Sequence, residues 1–186
     1  MLKDTLVAQC APTLAGIKTG NIFSVKNTEV SLVEEMRELN RILTKKGLRL
    51  IPIQKKDKFT LIYVYRPYFL KRDLNNPEAQ RILKGKGYHI GNDNQLVVQL
   101  VWHLMNDKEF PHEIGLFLGY PPSDVKGFME SPSEGVKSVG CWKVYSNPEH
   151  AKKVFESYKI CTDIYCEECR KGKSLENLAV EIKAAI

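Results

Sequence analysis

The sequence predicts a single α+β domain that spans residues 1–186, with a small, mostly antiparallel sheet covered by several helices. Two observations predict this class. Two β-rich runs separated by a short charged turn indicate a hairpin over residues 48–65. Apolar side chains recur at helical spacing before that hairpin and through most of the C-terminal half, which is therefore expected to be mainly helical.

The length and composition agree with one globular core. A chain of 186 residues can bury a sizeable core, given that domains usually hold ~100 to 200 residues. Its 43% hydrophobic and 27% charged residues exclude the disordered and fibrous classes. We therefore expect the chain to fold by itself.

The first predicted elements are a strand and a helix. Residues 13–25 alternate in polarity and are rich in β-branched side chains, which predicts a strand, or two short strands broken at Thr19 and Gly20. Residues 30–46 place apolar side chains at helical spacing, with glutamates early and lysines late, as the helix dipole favours. Gly47 is a natural stop for this helix.

The hairpin follows directly. Its strands, LRLIPIQ and FTLIYVYRP, are separated by KKDK, and Pro52 in the first run predicts an edge strand, since proline cannot donate to a ladder. The next helix is predicted to begin at Pro77, with Asn76 as its cap, and to end near Gly85. Residues 94–107 are almost continuously apolar, which predicts a helix that is buried on most sides.

Residues 110–130, FPHEIGLFLGYPPSDVKGFME, combine prolines and glycines at positions that begin and end helices. Pro111 can start a first short helix, Gly119 can end it, and Pro121 with Pro122 can start a second. A strand over EIGLFLGY is the alternative. We expect the apolar residues of this segment to lock a structural corner into the core.

The last third of the chain predicts one strand and two helices. Residues 140–146, GCWKVYS, follow a loop at 131–138 and are expected to join the sheet formed by the earlier strands. Asn147 and Pro148 should begin a long helix. Ser174 should cap a final helix that runs to the end of the chain.

The net charge is +6, and its distribution is uneven. Residues 41–86 hold thirteen lysines and arginines against three acids, a local charge of +10, so the remaining residues sum to −4. Such a basic block favours an anionic partner, for example a nucleotide, a phosphate ester, nucleic acid or an acidic protein face. The alternative is a solvated surface whose lysines confer solubility.

The N-terminal residues predict no export signal and no membrane anchor. Gln9 and Pro12 interrupt the apolar run, and Gln9 precedes Cys10 at the position where a lipoprotein needs a small residue. The longest apolar runs fall far short of the ~20 residues that a membrane-spanning helix requires. We expect a cytoplasmic protein with no membrane partner, whose five cysteines are reduced thiols.

His112 and Glu113 are the first candidates for catalytic chemistry. A histidine titrates near neutral pH and an adjacent carboxylate can orient it, so the pair can supply a general base or a metal ligand. Neighbouring helical residues point about 100° apart, however, and Leu116 stands where the zinc-protease pattern HExxH needs its second histidine. The alternative is that both residues cap or hydrogen-bond the first turn after Pro111.

The C-terminal cysteines favour packing over metal binding. Cys166 and Cys169 form a single CxxC pair, whereas structural zinc sites usually show two such pairs or one pair with nearby histidines. The intervening residues are both glutamates, which oppose the lowered thiol pKa that redox activity needs. One helix face is predicted to be a core stripe and comprises Val154, Tyr158, Cys161, Tyr165 and Cys169. We therefore predict no metal site. The alternative is a zinc or redox-thiol site, which needs Cys161, Cys166, Cys169 and a fourth ligand together.

The sequence identifies no cofactor. Residues 85–91, GKGYHIG, have three glycines without the GxGxxG order, and the Walker phosphate loop and the GxSxG nucleophile elbow are missing. Tyr63, Tyr65 and Arg66 lie in a stretch that can either stack on and neutralise a nucleic acid or fill the core and cap a strand.

Four strings of the sequence are specific enough to indicate relatives. They are CAPTLAGIK at 10–18, IYVYRP at 62–67, FPHEIGLFLGYPPSDVKGF at 110–128 and CWKVYSNPEHA at 141–151. Together they resemble an uncharacterised domain-of-unknown-function family of anaerobic, clostridia-like bacteria, over nearly the whole chain. The resemblance implies no activity. It implies that a shared site would use the most characteristic segments, which lie at 10–18, 112–120 and 141–145.

The leading functional hypothesis is a cytoplasmic binding domain, with or without enzymatic activity, whose cleft holds a small anionic ligand. A lysine supplies charge, a histidine can move a proton, and a cysteine can act as a nucleophile or soft ligand. The candidate catalytic residues are His112, Glu113 and Cys141, and the candidate ligand-binding residues are Cys10, Lys18, His112, Tyr120 and Lys143. The alternative is a non-enzymatic interaction module that uses the basic block at 41–86 to bind an acidic protein or nucleic acid.

Overall fold

The computed structural model describes residues 2–27 and 32–182 and has the α+β class predicted from the sequence. These residues fall into two units. The first unit combines the chain up to residue 68 with the residues from 158 onward, and the second unit holds residues 69–157. The prediction of a single domain stays a prediction. Within the described ranges, no helix is both long enough and apolar enough to cross a membrane.

The predicted hairpin forms two thirds of the main sheet. Strand β2 covers Arg49–Lys55 and pairs antiparallel with β3, Phe59–Tyr65. Strand β1, Gly20–Lys26, pairs antiparallel with the other side of β3, which gives the order β1-β3-β2. Pro52 therefore lies on an edge strand, as predicted, and the register shifts between Pro52 and Gln54.

Helix α1, Leu2–Leu14, occupies residues for which the sequence predicted no element or a strand. Gly16 has a φ of +78° just after the helix, and the N–H of Ile17 donates to the carbonyl of Pro12. This capped turn separates the helix from β1. The predicted strand was therefore wrong over residues 13–19, because the β-branched residues before Gly20 belong to the helix end and its turn. Its part from Gly20 onward is confirmed as β1.

The amphipathic helix predicted before the hairpin is confirmed as α2, Leu32–Lys45. Gly47 stops it with a φ of +76°, as expected for a residue without a Cβ. The predicted start at Val30 lies outside the described residues. Contacts of α1 with β1 and of α2 with β2 enclose the core of the first unit, whose fully buried side chains include Leu6, Leu14, Leu43, Leu50 and Ile62.

After the sheet come three helices, of which the sequence predicted two. Helix α3, Pro67–Leu74, was not predicted. Helix α4, Pro77–Gly85, begins as predicted, since Asn76 Oδ1 accepts hydrogen bonds from the N–H groups of Glu78 and Ala79.

Helix α5, Asp93–Asn106, is present where the sequence predicted a helix, but its expected burial on most sides was wrong. Leu96 and Leu100 are buried, whereas Val98 and Trp102 are exposed. The second unit covers one apolar face of this helix and leaves the other uncovered within the described chain.

The corner predicted at residues 110–130 is confirmed. Helix α6, Ile114–Phe117, ends before Gly119, which has a φ of +80°, and helix α7, Pro122–Glu130, follows. The alternative of a strand over EIGLFLGY is wrong, because the N–H groups of this stretch close local helical turns.

The strand predicted at 140–146 does not join the main sheet. Only Lys143–Val144 is extended, as β5, and it pairs with β4, Ser138–Val139, in a separate two-stranded ladder. The expectation that it would extend the main sheet was wrong, because a neighbouring segment supplies its partner strand. Part of the predicted loop at 131–138 therefore becomes a strand.

The long helix predicted from Asn147 and Pro148 is confirmed as α8, Pro148–Arg170. Helix α9, Leu175–Leu178, is capped by Ser174 as predicted but ends after one turn. The predicted continuation through residue 182 was wrong, since the N–H groups of Val180 and Ile182 donate to carbonyls elsewhere in the first unit. Residues 183–186 lie outside the described chain.

Candidate ligand site

A cavity of about 210 Å³ opens in the second unit, beside the corner between α6 and α7. Its lining is mostly aliphatic and aromatic, and four of its side chains are ionisable. The lining residues are His112, Ile114, Gly115, Leu118, Tyr120, Asp124, Val125, Phe128, Trp142 and Lys143. Three predicted ligand-binding residues, His112, Tyr120 and Lys143, therefore line one cavity.

Close packing at Gly115 brings α6 against α7. A Cβ at this position would lie 2.8 Å from a methyl carbon of Val125 and 3.2 Å from the ring of Tyr120. A side chain here would push the two helices apart. The glycine therefore shapes the cavity wall by allowing close approach, and not by flexibility.

Asp124 holds the segment that carries Trp142 against α7. Its Oδ2 accepts a hydrogen bond from Trp142 Nε1 at 2.8 Å, and its Oδ1 accepts from the backbone N–H groups of Tyr145 at 2.9 Å and Ser146 at 2.8 Å. The residue is 2% exposed. Burial by itself raises the pKa of this carboxyl, but the donors from Ser146, Tyr145 and Trp142 outweigh it and hold the pKa below its usual value. Asp124 is thus an ionised clamp with both oxygens in use.

Trp142 is positioned by aromatic neighbours on two sides. Its ring stacks on Tyr120 with centroids 4.8 Å apart and meets the ring of Phe155 edge-on at 4.5 Å. The hydroxyl of Tyr120 donates to the backbone carbonyl of Cys141 at 3.2 Å. Burial, with a smaller contribution from the Cys141 thiol, raises the pKa of Tyr120 to about 12. Tyr120 therefore remains a neutral donor at physiological pH.

Two groups that can carry positive charge lie at this cavity. Lys143 Nζ donates to the carbonyl of Pro132 at 2.8 Å and lies 5.4 Å from the ring centroid of Phe128. His112 is exposed, and its ring meets that of Phe128 edge-on at 4.9 Å. The ring of Phe128 thus lies next to both Lys143 and His112.

Glu113 has an environment separate from the cavity lining. It is 3% exposed, and its Oε1 accepts a hydrogen bond from the hydroxyl of Tyr88 at 3.1 Å. Burial and then the carboxylate of Glu113 raise the pKa of Tyr88, so its hydroxyl stays protonated as the donor. The Cys141 side chain is exposed and is not among the lining groups. Catalytic roles for Glu113, Cys141 and His112 stay predictions.

The other two predicted ligand-binding residues, Cys10 and Lys18, lie in the first unit. The Asn21 side chain connects them, since its Oδ1 accepts from Lys18 Nζ at 2.6 Å and its Nδ2 donates to Cys10 Sγ at 3.6 Å. Burial raises the pKa of the Cys10 thiol to about 12, despite smaller opposing effects of Asn21 and Lys18. A cleft that gathers residues from both units stays a prediction.

Cys10 is expected to be unreactive toward Ellman's reagent in the folded chain, because a buried thiol with so high a pKa supplies almost no thiolate. The exposed Cys141 should react first. In a time course at pH 8, Cys141→Ser should lose the fastest phase and Cys10→Ala should retain it. Loss of that phase in Cys10→Ala would contradict the burial of this thiol.

Across the described residues, no group of three or more His, Cys, Asp or Glu side chains has an arrangement that could hold a metal ion. Cys161, Cys166 and Cys169 are each partly exposed. Tyr165 and Cys169 pack against the first unit's core, so part of the predicted stripe contributes to packing.

The predicted basic block contains one buried cation. Arg66 is 1% exposed and donates to four backbone carbonyls of the first unit, so its charge serves the fold and is not on the surface. Most of the other lysines and arginines at 41–86 are exposed. A role for them in binding nucleic acid or an acidic protein stays a prediction.

A family model described as "Protein of unknown function (DUF3793)" matches residues 6–179. The chain belongs to this family. The match confirms the resemblance to a family of unknown function and includes every residue that lines the cavity. No curated protein and no solved structure matches the DUF3793 chain.

Two residues that organise this DUF3793 cavity were not selected from the sequence, namely Asp124 and Trp142. Asp124 stands in the first turn of α7, where an acid is ordinary, so its sequence position gave no reason to select it. Trp142 lies within the CWKVY string that indicated the family, and that string was the available signal. Their contact joins residues 18 positions apart, which no local pattern encodes.

Proposed function

We propose that the DUF3793 chain is a cytoplasmic small-molecule-binding domain whose ligand is a largely apolar compound with one anionic group. The observation that supports this proposal is the combination of an apolar cavity with Lys143 at its wall and an Asp124 whose oxygens are already used.

The lining favours an apolar ligand body. Ile114, Leu118 and Val125 supply aliphatic surface, and Phe128 and Trp142 supply aromatic surface. An apolar protein cavity of ~150 Å³ can hold benzene, so about 210 Å³ accommodates at least one ring or a short branched chain. Such a ligand would bind by removing its apolar surface from water.

The charges favour an anionic group on that ligand. Lys143 has three donors, and the hydrogen bond it makes to Pro132 goes to a neutral carbonyl. Among the described residues, no carboxylate forms an ion pair with Lys143. A ligand carboxylate could therefore gain a charge-assisted hydrogen bond.

The proposal is tested with benzoate and phenylacetate against the neutral amides of the same size. Binding is measured by isothermal titration calorimetry and by the rise in melting temperature that a ligand of the folded state produces. The carboxylates should bind at least about tenfold more tightly than their amides, since a hydrogen bond to a charged group contributes about 1.5 to 3 kcal/mol.

Three variants separate the charge from the apolar body. Lys143→Met should remove the preference for carboxylate, and Trp142→Ala should weaken both classes of compound. Lys137→Met is the matched control, because Lys137 Nζ also donates to a backbone carbonyl, that of Ser146 at 3.0 Å, without lining the cavity. Equal binding of amides and carboxylates to the unaltered chain, or binding of neither, would refute the proposal.

A further inference from the structure

Helix α5 presents a row of large apolar side chains to solvent. Val98 is 68% exposed, Trp102 57% and Met105 69%. Their spacings of four and three residues put all three on one face of the helix. Contiguous exposed apolar surface of this kind marks an interaction site more often than chance scatter does. We call these three residues the α5 stripe.

The α5 stripe is separate from the face that packs inside the second unit. The buried residues of α5 are Leu96, Val97, Leu100 and Leu104. The helix thus carries two apolar faces, of which the described part of the chain covers one. Residues 94–106 include no lysine, arginine, aspartate or glutamate. The α5 stripe is therefore an apolar surface without formal charge in a chain of net charge +6.

We infer that a second copy of this chain covers the α5 stripe, with the two helices antiparallel about a two-fold axis near Trp102. Two chains of net charge +6 repel each other, and an uncharged face is the surface over which that repulsion is least. An amphipathic helix that binds a membrane surface uses lysines and arginines on its polar face, and residues 94–106 have none.

The spacing of the α5 stripe suits pairing with itself. Val98 lies four positions before Trp102, and Met105 lies three positions after it. An antiparallel two-fold arrangement places Trp102 beside its symmetry mate and Val98 beside Met105 of the other copy. Each apolar side chain then contacts an apolar side chain, as an isologous interface requires.

The size of the α5 stripe predicts a weak dimer. Three side chains of this kind offer on the order of 300 to 400 Å² of apolar surface per copy, against ~800 Å² per partner in a standard stable interface. The dissociation constant should therefore lie in the micromolar range or above, with Trp102 at the centre as the main contributor.

The inference is tested by sedimentation velocity of the full chain from about 5 to 500 μM. The unaltered chain should shift from monomer to dimer across this range. Val98→Lys and Met105→Glu should each weaken the dimer at least tenfold, because each places a charge against an apolar partner. An equimolar mixture of these two variants should dimerise better than either alone, since the introduced charges then meet across the axis.

Ile160→Lys and Ile164→Glu are the matched controls, because both positions are 53% exposed on α8 and receive the same charges. They should leave the dissociation constant unchanged, and circular dichroism should show that all four variants fold. A chain that stays monomeric at 500 μM overturns the inference. The inference is also overturned if neither α5 variant weakens the dimer, or if the mixture of the two variants forms no more dimer than either alone. It is overturned as well if the chain is monomeric and sediments with neutral lipid vesicles.

Discussion

Replacement of Arg66 by alanine is expected to lower the free energy of unfolding by about 3 to 5 kcal/mol. Nε donates to the carbonyl of Thr13 at 2.7 Å, Nη2 to those of Leu14 at 2.7 Å and Val180 at 2.9 Å, and Nη1 to that of Lys46 at 3.1 Å. These acceptors belong to three separate segments of the first unit. Without the guanidinium, all four carbonyls lose a charged donor. Those of Thr13, Leu14 and Lys46 keep only a backbone N–H donor.

The charge of Arg66 survives its burial. Burial lowers the pKa of the guanidinium to about 10, partly opposed by Tyr165, so the group remains protonated at neutral pH. Charged donors make stronger hydrogen bonds than neutral ones, which is why we expect a large effect from one side chain. Arg66→Lys should restore only part of the loss, because a single ammonium cannot match the planar fork of five N–H donors.

Urea denaturation followed by circular dichroism measures this loss. Arg41→Ala is the control, since Arg41 is exposed on α2 and its removal should change the free energy of unfolding by no more than about 0.5 kcal/mol. A loss below about 1 kcal/mol in Arg66→Ala would show that water replaces the guanidinium at these carbonyls.

Replacement of Asp124 by alanine should lower the free energy of unfolding by about 2 to 4 kcal/mol and abolish ligand binding in the cavity. The change leaves the indole N–H of Trp142 and the backbone N–H groups of Tyr145 and Ser146 without their acceptor. The segment that carries Trp142 then loses its attachment to α7. Asp124→Asn should lose less, because its amide oxygen still accepts while the charge is gone.

The stabilising effect of ionised Asp124 should also be detectable as a dependence of stability on pH in the acid range. The pKa of Asp124 is lowered in the folded chain, so its contribution to stability is fully present above the ordinary aspartate pKa of ~3.9 and is lost as the pH falls through the folded value. Asp124→Asn should therefore lose less stability than the unaltered chain between pH 5 and pH 2, in urea titrations at each pH. Asp57→Asn, at an exposed position, is the control. Equal acid sensitivity in Asp124→Asn and the unaltered chain would contradict the assignment.

The proposed ligand site depends on the prediction for Asp124. Asp124 holds Trp142 in place as part of the cavity wall, whereas Lys143, the next residue in the chain, supplies the charge. If Asp124→Ala loses binding while the remaining helices stay folded, the hydrogen bonds of Asp124 are required for the ligand site. Retained binding would separate the cavity from that clamp.

Local signals predicted a large part of the fold. Pro52 correctly indicated an edge strand, because its missing N–H is tolerated only where no ladder needs it. Asn76 and Pro77 marked the start of α4, and Gly119 with Pro122 marked the corner beside the cavity. Each of these signals acts within about four residues of the backbone it controls, so a single sequence contains it.

The candidate site was predictable in part for the same reason. His112, Tyr120 and Lys143 were selected because their segments were distinctive, and all three line the cavity. Asp124 and Trp142 were missed, because what distinguishes them is their contact with each other. Cys10 was selected for its chemistry, and the fold instead buries its thiol against Asn21.

By itself the sequence determined the α+β class, the hairpin, the caps of α4 and α9 and the membership in the DUF3793 family. The tertiary structure alone decided that α1 is a helix, that β5 pairs with β4, and that α5 leaves the stripe around Trp102 exposed. It also decided that Arg66 is a buried cation that joins three segments of the first unit, and not a surface charge. Caps and turns depend on neighbours in the chain, whereas burial, strand partners and the acceptors of a buried charge depend on residues that only folding brings together.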